Sequence, residues 1–178
     1  MRPIRCLSAI LVCLFLAAPL LAQKEKRQPL TEAEIEQIRE AGIDPNLRIV
    51  LYTKFLNEHA DTLKGLSNRA KSAARAHRLD DELLDFTALM DELGDNLDQY
   101  SDRHADIRKA LKSLADDSPR WLLILRALAG ETSFNLSRKE AIESGEDLAD
   151  QATRMLQEQT EYFREHKDEQ GQDRAEPK

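Results

Sequence analysis

Eleven residues, Leu79, Leu83, Phe86, Met90, Leu93, Leu97, Tyr100, His104, Ile107, Leu111 and Leu114, are spaced alternately four and three along the chain. That alternation keeps one face of an α-helix turned towards a partner, whereas a strand would need a period of two. Asp91, Asp95, Asp98 and Asp102 fall on the opposite side, where water would solvate them. Gly94 is the one weak helix former inside the run. The stripe predicts a single helix from Leu79 to Leu114.

A second seam precedes it. Asp44-Pro45 reads as an N-cap acceptor followed by proline at the first helical position, where its missing N–H costs nothing. Tyr52, Leu56, His59, Leu63, Leu66, Ala70, Ala73 and His77 then repeat the four-three spacing. This predicts a helix from Pro45 to about His77, broken at Arg78-Leu79-Asp80. A short connection favours antiparallel neighbours, so the two helices are expected to form a long hairpin.

Thr31-Glu32-Ala33-Glu34 is a capping box, and the short helix it opens should stop at Gly42. Asp116-Asp117-Ser118-Pro119 reads as the end of the striped helix and the cap of another. Trp121 to Leu128 is apolar nearly all round, which predicts a short helix buried on several sides as a plug at one end of the bundle. Ser137-Arg138-Lys139-Glu140 is a second capping box, opening a last helix with Leu148, Ala152, Met155, Leu156 and Phe163 on one broad side. The expected fold is all-α. It is an elongated antiparallel helical bundle built on a heptad-patterned, coiled-coil-like hairpin, with short accessory helices and long ones of about 45–55 Å.

The N-terminal end bears on location. Arg2 and Arg5 precede an uncharged apolar run, Ser8 to Ala18, followed by Pro19 and Leu20-Leu21-Ala22. This is the order of a secretory signal peptide, with cleavage near Ala22. The run is short for a membrane span of about 20 residues; an uncleaved anchor is the competing reading. Residues 1–22 are thus expected to be a leader, 23–30 a polar linker, 31–167 the bundle and 168–178 a disordered polar tail. The mature protein is expected in the periplasm or outside the cell, without a stable membrane anchor.

Cleavage removes both cysteines, Cys6 and Cys13, and with them thiolate zinc sites, cysteine nucleophiles and covalent haem attachment. It also removes Arg2 and Arg5 but no acidic residue. The 33 Asp and Glu then face 24 of the 26 Lys and Arg, and the net charge moves from −7 to −9. Such a balance disfavours nucleic acid as a partner.

Histidine is the one residue type here that suggests a site. His59, His77 and His104 fall on the two seams, and His166 continues the last helix's apolar side. Facing histidines in a bundle can hold a metal, but such bundles use Glu-x-x-His, which this chain lacks. His59 and His104 are the weak metal candidates. With a turn near Leu79 they would sit about 7 Å apart along the axis, far for one ion. No cofactor is implied. Nucleophile elbows, phosphate loops, dinucleotide fingerprints and His-Glu-x-x-His are all missing. The sequence therefore points to an exported, non-enzymatic protein with an interaction, adaptor or chaperone-like role, through a protein partner or self-association. The alternative is a small-ligand or metal-binding bundle using the seam histidines.

Overall fold

The computed structural model describes residues 27–171; the expected leader and the last seven residues lie outside them. Five α-helices account for most of the described residues, and no strand occurs among them. They are α1 (Glu32–Glu40), α2 (Pro45–Ser67), α3 (Ala73–Asp102), α4 (Arg108–Ala127) and α5 (Asn135–Glu165), followed by a 3₁₀ turn, Lys167–Glu169. The all-helical bundle is as the sequence predicts. None of these helices is long and apolar enough to cross a membrane.

The first caps form as the residue types dictate. Thr31 and Glu34 exchange the two bonds of a capping box. Gly42 takes a left-handed φ of 61° at the turn after α1. Asp44 accepts the amides of Asn46 and Leu47 at 2.9 and 3.2 Å, with Pro45 opening α2.

The helix boundaries further along differ from expectation. α2 ends at Ser67 rather than near His77, and α3 starts at Ala73 with Ser72 as its N-cap. Beyond Leu66 the seam positions Ala70, Ala73 and His77 are all exposed, so no core contact carries α2 past Ser67. Asp80, Asp81 and Glu82, expected at a helix start, lie inside α3.

The striped helix is two helices. α3 ends at Asp102, and the chain turns over residues 103–107 before α4. His104 sits in the left-handed region, φ 54°. Its N–H donates to Ser101 O at 2.8 Å, and the Ala105 N–H donates to Tyr100 O at 3.1 Å. This is a Schellman stop with histidine where glycine usually sits. Every other stripe residue is buried, so the stripe marked core positions correctly while hiding the reversal. A straight helix to Leu114 would overrun α2, which spans only about 35 Å.

Pro119, expected to open a helix, lies inside α4. Its ring removes the N–H that would bond Ala115 O; the buried Ser118 hydroxyl donates to that carbonyl instead, at 3.4 Å. The plug from Trp121 to Leu128 is therefore the end of α4. It is buried on one side through Trp121, Leu125 and Leu128, while Leu123 is 69% exposed. Nor does Ser137 cap α5. The helix begins at Asn135, and the Ser137 hydroxyl donates to Asp80 across the α3–α5 interface at 2.5 Å.

Four helices thus surround one core. α2 and α5 each pack against both α3 and α4, which puts α3 and α4 on a diagonal. α2 and α4 run parallel: Asn46 meets Ala110 and Asn57 meets Trp121, both 64 residues apart. α3 and α5 do the same, Asp80 meeting Ser137 and Gly94 meeting Gln151, both 57 apart. The molecule is two antiparallel hairpins, α2–α3 and α4–α5, laid side by side. Gly145 lets α5 approach Met90 and Leu122 closely; a β-carbon there would lie 3.1 Å from a Leu122 methyl. Ahead of α1, Leu30 enters the core, and Arg27 pairs with Asp85 and with Asp81 on α3.

Candidate functional site

The structure separates the two metal candidates. His59, on α2, points at α3, where its Nδ1 lies 2.7 Å from Glu82. Burial works against the charged ring. The hydrogen bond to Glu82 and the negative charges of Glu82, Asp85 and Glu34 outweigh it, and the pKa is raised above the ordinary histidine value. Phe86 packs against the ring at 6.4 Å between centroids. His59 is thus tied to Glu82 across the α2–α3 interface.

His104 lies at the far end of α3, exposed, in the turn described above. Its ring stacks on Tyr162 of α5 at 5.1 Å, and His166 stacks on the same tyrosine at 4.2 Å. His77 is exposed at the opposite end, with Asp81 at 3.5 Å. Among the described residues no three His, Cys, Asp or Glu side chains come together as metal ligands would.

The end of the bundle that carries His104 is built from groups the sequence did not single out. Residues 103–107 cross the diagonal from α3 to α4, and two buried or half-buried carboxamides fasten them. Gln159, on α5, accepts the Ile107 N–H at 3.1 Å and donates to Ala105 O at 3.0 Å. Asn46, on α2, donates to Asp106 O at 2.8 Å and accepts the Ala110 N–H at 3.4 Å. The start of α4 has no side-chain cap from its own N-cap residue; neighbouring helices supply acceptors. Asp106 takes the Arg108 guanidinium on both oxygens at 2.8 Å and the Gly171 N–H at 2.9 Å. The Arg108 hydrogen bond, opposed by burial and helped by Gly171, holds the Asp106 carboxyl below its usual range. Gly171 and Gln170, which donates to Phe163 O at 2.7 Å, bring the segment after α5 back onto this end.

Comparison with protein families, curated proteins and solved structures found no match.

Next to this end, α2 presents an apolar stripe to water. Ile43, just before α2, is 75% exposed; Leu47 and Val50, on its first turns, are 45% and 47% exposed. Leu47 and Val50, three residues apart, share a side of the helix, and Ile43 precedes its N-cap, Asp44. The opposite side of α2 supplies Ile49, Tyr52, Leu56, Ala60 and Leu63 to the core. Ile43 also lines a cleft of about 880 Å³ between the starts of α2 and α4 and the second half of α5. The sequence held a signal for this second stripe, the spacing of Ile43, Leu47 and Val50, but the stronger core seam on the same helix masked it. Asn46 and Gln159 carried no periodic signal, because a carboxamide that closes a loop from another helix looks like any surface residue.

Proposed function

We propose that this is an exported helical-bundle protein that works by binding a protein partner, as an adaptor or chaperone-like factor, and not by catalysis. The observation that carries the reading is the exposure of Ile43, in the turn before α2, and of Leu47 and Val50 on one side of α2, whose other face is buried. Single exposed apolar side chains are ordinary. Three gathered at the start of one helix offer an apolar contact surface to a partner. The polar groups of the bundle support the same reading, since His59, Asn46, Gln159 and Asn57 are engaged in bonds to neighbouring helices, and Asp106 is held by Arg108 and Gly171. Export is supported by the order of Arg2, Arg5, the apolar run and Ala22 in the sequence.

The test is a comparison of wild type with an Ile43→Ser, Leu47→Ser, Val50→Ser variant, immobilised and exposed to envelope extract. A species retained by wild type and lost from the folded variant supports the reading. Equal retention by both, or none by either, sinks it. Light scattering across a concentration series, run on the same pair, shows whether the partner is a second copy of this chain.

A further inference from the structure

We infer that the cleft between α2, α4 and α5 binds an amphipathic anion, a molecule with an apolar chain and a carboxylate or phosphate head. The inference stands apart from the docking of a protein on α2, although Ile43 borders both surfaces. The cleft has a volume of about 880 Å³, within the range of small-ligand sites. Ile43, Pro45 and Leu156 provide apolar lining, and Arg108, Lys109 and Lys112 provide cations.

The charges decide the sign of the ligand. The acids on the cleft wall are already engaged: Asp44 accepts the first amides of α2, and Asp106 holds Arg108. Lys109 makes no ion pair among the described residues, and no role in the fold calls for it. Lys112 reaches only Asp116, one turn along the same helix at 3.4 Å, with both side chains 70% exposed or more. A pair so solvated holds neither partner firmly.

Both lysines also lie in the first two turns of α4, where the helix dipole disfavours a cation. In a chain of net charge −7, Lys109 and the weakly paired Lys112 beside an uncovered isoleucine fit a ligand that is anionic at one end and apolar at the other.

The experiment titrates the full mature chain with dodecanoate, dodecyltrimethylammonium and dodecyl maltoside, each below its micelle concentration. Calorimetry and the methyl signals of Ile43 and Leu156 provide the readouts. Dodecanoate is expected to bind saturably and shift those methyls, the cationic analogue is not, and a Lys109→Gln, Lys112→Gln variant should bind dodecanoate about tenfold more weakly. Both lysines are exposed, so the variant's fold can be checked by an unchanged circular dichroism melt. Sedimentation with phosphatidylcholine vesicles, with and without phosphatidylglycerol, identifies the source. Lysine-dependent retention on the anionic vesicles assigns the head to a bilayer lipid, and dodecanoate binding without retention assigns it to a free amphiphile. Equal binding of all three detergents, an unchanged affinity in the double variant, or no binding to either dodecanoate or anionic vesicles would overturn the inference. Loss of dodecanoate binding in the lysine variant with partner capture intact would show that the two surfaces are independent.

Discussion

His59 Nδ1 lies 2.7 Å from a Glu82 carboxylate oxygen across the interface of α2 and α3. The ring is only 16% exposed, so this pair is less screened than the surface pairs of the bundle. Its folded pKa is raised, which means the protonated ring favours the folded state. The contribution is therefore fully present below the unfolded value, about 6.5, and lost as pH rises through the higher folded value. Denaturant melts of wild type and His59→Gln from pH 5 to pH 9 should differ most at the acid end and converge at the alkaline end. A difference that grows with pH would contradict the pairing.

Asp106 behaves with the opposite sign. Its folded pKa is lowered by Arg108 and the Gly171 amide, so its contribution is present above the unfolded carboxyl value and lost as pH falls through the folded one. Asp106→Asn should cost about 1–2 kcal/mol at pH 7, with the gap to wild type closing in acid. Hydrogen exchange at Gly171 in the variant would show whether the segment after α5 has been released.

The turn at His104 offers a backbone test. A side chain at φ 54° carries strain that glycine does not. His104→Gly should be more stable than His104→Ala by about 1 kcal/mol, measured by urea melts. Both variants lose the stack on Tyr162, so the comparison isolates the backbone.

Asn57 accepts the indole N–H of Trp121 at 2.8 Å and an Arg120 N–H at 3.1 Å. Trp121 is 1% exposed, so its N–H has no water to turn to. Asn57→Leu should cost about 1–3 kcal/mol, whereas Asp61→Ala, which removes the neighbouring exposed partner of Arg120, should cost less than about 1 kcal/mol. Thermal melts of the two variants distinguish these effects.

The core of this protein is readable in its sequence to a degree that its chain reversals are not. Leu79 through Leu114 is a list of buried positions with the single exception of His104, because a four-three spacing reports which side of a helix loses water. It does not report whether the helix is continuous. A histidine at a left-handed turn carries no mark like that of Gly42, and Ser118 hides the cost of Pro119 by reclaiming a carbonyl. The cleft was illegible for a different reason. Pro45, Lys109 and Leu156 come from three helices, and only the parallel neighbouring of α2 and α4 brings the first two to one place.

That parallel neighbouring also bears on how the chain reaches its fold. Bonds inside each hairpin close short loops: His59 and Glu82 are 23 residues apart, Arg126 and Glu146 are 20. Bonds between helices of different hairpins close loops of 53 to 64 residues, about 1 kcal/mol dearer in chain entropy for each first contact. The expected order is hairpins first and their mutual docking last, with the crossing at residues 103–107 as the step that commits the two halves to each other.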